Sequence, residues 1–191
     1  MEKSAIGEGV DNVIGAAIRK RDLNAAFRLL VTHYGPRVYS LCCRMLKDRT
    51  RAEDVMQESL MKAFERIDEL RDPQRMKAWV MRIATSSCLD ELRRTRRQGA
   101  LADAFAEVDT AALASDLLAA LASSEEKRAL EECLAALSVA KRAAILGRFF
   151  AELAYDELAA ATNESPDALR VRIVRAMPEL RACLESKGVT S

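Results

Sequence analysis

The stretch LAYDELAAATNESPDALRVRIVRAMPELR, residues 153–181, carries the reading on which the fold class turns. Leu153, Leu158 and the alanines that follow give a short helix, Thr162-Asn163-Glu164 a turn, and Ser165-Pro166-Asp167 the start of a second helix. Asn tolerates the left-handed backbone such a turn needs, Ser caps a helix N-terminus, and Pro suits the first helical position. In the second helix Leu169, Ile173 and Ala176 face inward, which leaves Arg170, Arg172 and Arg175 outward. This is a helix-turn-helix signature, whose recognition helix offers arginines to phosphates and guanine edges in the major groove. A generic helical hairpin carries the same caps and charges, so the pattern by itself leaves both readings open.

The remainder of the 191 residues is also helical in composition: Gly (seven) and Pro (four) are scarce, and β-branched residues never alternate with polar ones over a strand's length. The chain is expected to be all-α, and its length suffices for two small domains. At 50% hydrophobic and 31% charged it can bury a core, which excludes wholesale disorder and a fibrous repeat. No apolar run approaches the roughly 20 residues of a membrane span, so a cytoplasmic protein without direct membrane insertion is expected. The five cysteines (Cys42, Cys43, Cys88, Cys133, Cys183) are odd in number and lack CxxC spacing, which argues against a disulfide framework and a zinc site and for small buried apolar residues. His33, the only histidine, has no nucleophile or carboxylate at motif spacing, so no enzymatic activity, cofactor, metal or small-molecule substrate is expected.

Upstream, Phe27, Leu30, Val31 and Tyr34, then Val38, Leu41, Cys42, Met45 and Leu46, recur at helical spacing, with Gly35-Pro36 as an interruption or first turn between two helices. In the next helix Val55, Met56, Leu60, Ala63, Phe64, Ile67 and Leu70 form an apolar stripe, while Asp54, Gln57, Glu58, Met61 and Glu65 fall on the other side. That acidic face suits a solvated surface as well as a docking one. A third helix, from after Asp72-Pro73 to Arg97, spans about 34 Å at 1.5 Å per residue. On it Arg75, Trp79, Arg82, Ser86, Asp90, Arg93 and Arg97 share one face opposite Met81, Ala84, Cys88 and Leu92. Guanidinium groups on phosphate and an indole stacked on a base would suit a nucleic-acid strand. Trp79 as a packed anchor among solvating arginines is the competing reading.

Charge is segregated beneath a net of +1. Residues 53–69 hold six acids and two bases, 75–97 seven bases and two acids, 98–126 six acids and no base, and 165–181 four arginines and two acids. A protein coating nucleic acid without specificity would be basic overall, so contact with DNA must be local. The expected organisation is a loosely ordered leader (1–22, with Gly7, Gly9 and Gly15), a helical domain (23–97), an acidic flexible linker (98–124) and a helix-turn-helix domain (125–191).

In order, RAEDVMQESLMKAFERI (51–67), KAWVMRIATSSCLDELRR (77–94), an acidic linker and the 153–181 stretch resemble an extracytoplasmic-function sigma factor, the two-domain bacterial RNA polymerase specificity subunit. The resemblance covers nearly everything from Ala25 to Leu184 apart from the linker. It implies that Asp54, Gln57, Glu58 and Met61 dock on the largest subunit of core RNA polymerase, with further contact to the second-largest subunit. Arg75, Trp79, Arg82, Ser86 and Arg93 would read and melt the minus-ten element, and the loop from Arg71 to Gln74 would capture an extruded base. Ala168, Arg170, Val171, Arg172 and Arg175 would contact the minus-thirty-five element of promoter DNA as duplex. A helical anti-sigma partner is implied as well, with membrane linkage through that partner.

The sequence departs from the family pattern at Thr85-Ser86, where a basic residue and Asn are frequent, at Asn163 in place of a turn Gly, at Val171 in a usually polar place, and at Pro178, which should kink or stop the recognition helix near Met177. The alternative reading is a stand-alone helix-turn-helix regulator, which would bind duplex DNA tightly by itself and dimerise.

Overall fold

Residues 2–70, 72–97 and 124–189 are described by a computed structural model, so the linker expected over 98–124, apart from Ser124, and Arg71 of the base-capture loop lie outside the described residues. Among the described residues all regular structure is helical: α1 Glu2–Arg19, α2 Leu23–Leu46, α3 Arg49–Glu65, α4 Met76–Arg97, α5 Ser124–Ala136, α6 Val139–Ile145, α7 Tyr155–Thr162 and α8 Pro166–Ser186. Single turns at Ile67–Glu69 and Pro73–Arg75 bridge α3 to α4, and a π-turn at Leu146–Phe150 follows α6.

Short polar side chains set where the helices begin. The Asp22, Asp48 and Ser165 side chains accept from the backbone N–H of Ala25 (3.0 Å), Arg51 (3.0 Å) and Ala168 (3.2 Å), which satisfies donors a helix start leaves open. Asn163 ends α7 in the left-handed region (φ 59°), and Pro166 occupies the first turn of α8, as the turn chemistry predicted.

The four helices α1–α4 enclose one apolar centre from Leu30, Val38, Leu41, Leu60, Met76, Val80 and Met81, and α5–α8 another from Leu134, Leu146, Leu153, Leu158, Leu169 and Ile173. The two bundles dock through α4 and α7 and through α2 and the π-turn, so their buried residues run on as one cluster.

Four expectations change. Residues 2–19 form a helix, where a loose leader was expected over 1–22. Ile14 is fully buried, Gly15 lies flush on the Pro73 turn, where a Cβ would stand 3.1 Å from its ring, and the Tyr34 hydroxyl donates to the buried Asp11 carboxylate. Gly15, one of the glycines that suggested a loose segment, therefore serves close approach, whereas a Cβ at Gly9 would meet nothing within 4 Å. Second, α2 passes unbroken through Pro36, and third, α8 runs through Pro178 to Ser186. Each proline leaves one carbonyl four residues back without its helical donor, and in both cases that residue, Thr32 or Val174, is exposed, so water can serve it. Gly35 before Pro36 also has no Cβ to meet the proline ring. Fourth, Cys133 and Cys183 form a disulfide joining α5 to α8, whereas Cys42, Cys43 and Cys88 are buried free thiols. Residues 50 apart in sequence become neighbours only once the second bundle folds, which spacing alone does not reveal.

Two measurements follow. Burial pushes the Asp11 carboxyl upward against the opposing Tyr34 hydrogen bond and the charges of His33 and Lys77. The folded chain thus holds the Asp11 proton to higher pH than the unfolded chain, and this contribution, present at low pH, is lost as pH rises through the folded value. Replacing Asp11→Asn, which removes the buried charge and retains an acceptor, should give a melting temperature whose advantage over the parent chain grows as pH rises above the ordinary carboxylate range. Asp11→Ala, which strands the Tyr34 hydroxyl, should cost about 1–3 kcal/mol. Replacing both Cys133 and Cys183 by Ser should lower the stability of the second bundle by about 2–4 kcal/mol in chemical denaturation under non-reducing conditions.

Candidate nucleic-acid interface

Three surfaces carry the residues singled out from the sequence. On α3, Val55, Leu60 and Ala63 are buried, which turns Asp54, Gln57, Glu58 and Met61 outward together. Met61 is 47% exposed, an apolar side chain set among carboxylates. Glu58 pairs with Lys62 at 2.6 Å, one turn on.

Arg75, in the turn just before α4, and Arg93 on α4 are exposed and Arg82 and Ser86 partly so, but Trp79 is only 7% exposed and belongs to the core. The expectation of an indole free to stack on a base is therefore corrected in favour of the packed anchor. The reason is that α4 is central: it packs on α2 and α3 within its own bundle and on α7 of the other, so its buried sector is wider than a single stripe and includes position 79.

The cations beside Trp79 are held by the second bundle. Arg75 pairs with Glu157 of α7 at 2.7 Å, and Lys77 with Glu152 at 2.5 Å. Arg93 pairs with Asp90 of its own helix at 2.9 Å and donates to the Thr162 carbonyl at 3.3 Å. Glu152 also takes Arg37 of α2 at 2.8 Å, and Arg37 donates to the Phe150 carbonyl at 2.9 Å. Glu152 sits at φ 59°, a left-handed backbone unusual for its residue type, and its carboxylate is shared between two cations. Burial works against ionisation there, yet Lys77 and Arg37 hold the Glu152 carboxyl below its ordinary value. Deeper in the contact, Arg44 binds Glu131 of α5 at 2.8 Å and lies 4.6 Å from the Phe150 ring centroid. At Glu131 burial outweighs the arginine and pushes the carboxyl upward. Arg142 donates to the Met45 carbonyl at 3.0 Å across the same seam.

None of Arg37, Arg44, Lys77, Glu131, Glu152 and Glu157 was singled out from the sequence. Their partners lie 75 to 115 residues away, and the one local signal was the change in charge sign along the chain.

On α8, Ala168, Arg170, Val171 and Arg175 are exposed and Arg172 is half-buried. Arg170 pairs with Asp167 at 2.6 Å and stacks 4.7 Å from the Tyr155 ring centroid, while Arg172 binds Glu164. Among the described residues no group of three or more His, Cys, Asp or Glu could hold a metal ion, and no helix is long and apolar enough to cross a membrane. His33 lies edge-on to Tyr34, ring centroids 4.8 Å apart.

Comparison with known proteins fits this arrangement. Residues 30–98 match Sigma-70 region 2, and residues 127–180 match Sigma-70, region 4. Among curated proteins, RNA polymerase sigma factor SigV of Bacillus subtilis is 24% identical over 172 residues, covering 90% of this chain and 99% of that protein. The ECF RNA polymerase sigma factor SigK of Mycobacterium tuberculosis is 29% identical over 165 residues, covering 84% and 87%. Two solved structures share the fold. The sigma factor RpoE of Bartonella quintana, in complex with the anti-sigma factor NepR, is 21% identical with a TM-score of 0.61, covering 86% of this chain and 98% of that one. CnrH, in complex with the cytosolic domain of CnrY, is 23% identical with a TM-score of 0.59, covering 93% and 98%. With both regions present in order across about two thirds of its length, and with relatives matched nearly end to end, the chain belongs to the sigma-70 family as a sigma factor of the extracytoplasmic-function (ECF) type.

Proposed function

We propose that this sigma factor directs core RNA polymerase to promoters through three separate surfaces and that its bundles must part before the second of them can work. The exposed face of Asp54, Gln57, Glu58 and Met61 on α3 docks on the largest polymerase subunit, with the second bundle reaching the second-largest. Arg82, Ser86 and Arg93 on α4, with Arg75 and the loop ahead of it, take the melted minus-ten strand. The α8 face takes the minus-thirty-five duplex. The sequence line of the chain is that of an initiation subunit and not of an enzyme.

The observation that carries this reading is the ion-paired seam over α4: two of the cations assigned to the minus-ten strand, Arg75 and Arg93, are held by Glu157 and the Thr162 carbonyl, and Glu152 holds Lys77 beside them. A nucleic-acid strand and α7 compete for the same side chains, so the closed arrangement is the resting form. An anti-sigma partner, as NepR is for the related RpoE, would act by keeping it closed.

Reversing charge with Asp54→Lys and Glu58→Lys should weaken capture of core polymerase by about tenfold or more without shifting the melting temperature, since both side chains are exposed. Undiminished capture would remove α3 from the docking role. Glu152→Gln with Glu157→Gln should loosen the seam, raising the radius of gyration in small-angle scattering and the affinity of the free protein for single-stranded minus-ten DNA. An unchanged radius and affinity would show that the seam does not compete with DNA. Run-off transcription with reconstituted holoenzyme tests the reading as a whole.

A further inference from the structure

The outward face of α8 is not the arginine face that the sequence suggested. Arg170 and Arg172 lie about 100° to either side of Val171 on the helix, and each is turned back onto its own bundle, Arg170 by Asp167 and the Tyr155 ring, Arg172 by Glu164. The middle of the face is apolar: Val171 is 48% exposed, Val174 69%, and Ala168 stands beside them. Arg175, the one cation near this midline, is exposed and has no hydrogen-bond or ion-pair partner among the described residues. Exposed valines at the centre of a helix cost solubility and give the bundle no packing, and this face stays uncovered while the α4 face is closed.

An apolar midline with one free arginine, flanked by a cation on each side, complements one surface in particular. The major groove has phosphate walls on both sides and a floor of base edges, where the apolar feature is the thymine methyl and the strongest acceptor pair is guanine O6 and N7. We infer that α8 reads the upstream promoter element chiefly through thymine methyl groups packed on Val171 and Val174, with Arg175 as its single guanine contact and Arg170 and Arg172 serving the phosphate walls. This deepens the promoter reading above and rests on it.

The test uses holoenzyme reconstituted with the full chain and a duplex library randomised over both promoter elements, followed by single duplexes in which each upstream thymine is replaced by deoxyuridine, which lacks only the methyl. The enriched upstream element should contain thymine, and removing a contacted methyl should weaken binding about fourfold. In Val171→Ala or Val174→Ala, whose exposed positions leave folding intact, the penalty for the corresponding deoxyuridine should vanish. Arg175→Gln should relax the preference at one guanine. The inference is overturned if deoxyuridine is tolerated at every upstream position, as it would be were the stripe a seat for a protein partner, or if the penalty persists in both valine variants. Enrichment at the downstream element alone also overturns it while leaving the promoter reading intact; no enrichment at either element overturns both.

Discussion

The seam between the bundles rests on complementary charge across an apolar contact, and most of what the molecule does follows from how strong that seam is. Its outer ion pairs, Arg75 with Glu157 and Lys77 with Glu152, are partly solvated, and pairs of that kind contribute about 0–1 kcal/mol each. The inner pair, Arg44 with Glu131, has side chains only 4% and 17% exposed, so its attraction is offset by desolvation. Specific orientation therefore comes from the polar contacts and adhesion from apolar burial around Phe150 and the neighbouring core. Such a seam is firm enough to define one arrangement and weak enough to part when a partner supplies better contacts.

The burial of Trp79 fits the same logic. An aromatic at that point of α4 fixes the helix within its bundle, so the arginines around it are presented from a rigid base. The flexible part of the apparatus is where the long side chains are, and the stiff part is the helix that carries them.

Local features were legible in the sequence because local chemistry determines them. Asn163, Ser165 and Pro166 each act within three residues, and the turn they form is the one they predict. The outward set on α3 follows from helical periodicity, which one buried face is enough to reveal. The misreadings share a different cause. Gly15 suggested looseness until Pro73 came to rest on it, Pro36 and Pro178 suggested breaks because solvent access at Thr32 and Val174 is a tertiary property, and the Cys133–Cys183 bridge and the partners of Glu152 depend on segments brought together by folding. Trp79 was ambiguous because a helix packed on three neighbours has too wide an apolar sector for a single face to be assigned.

The paired state of Arg75 and Lys77 has a bearing on salt. Binding to a polyanion ordinarily steepens with falling ionic strength because condensed counterions are set free, one for nearly every phosphate neutralised. Here the carboxylates of Glu157 and Glu152 already neutralise those cations; Glu152 keeps Arg37 when Lys77 leaves, but Glu157 must recruit a cation from solution as Arg75 leaves. Ion release from the nucleic acid is then partly matched by ion uptake at the protein, so the slope of affinity against salt should be shallower than a count of basic residues on α4 implies.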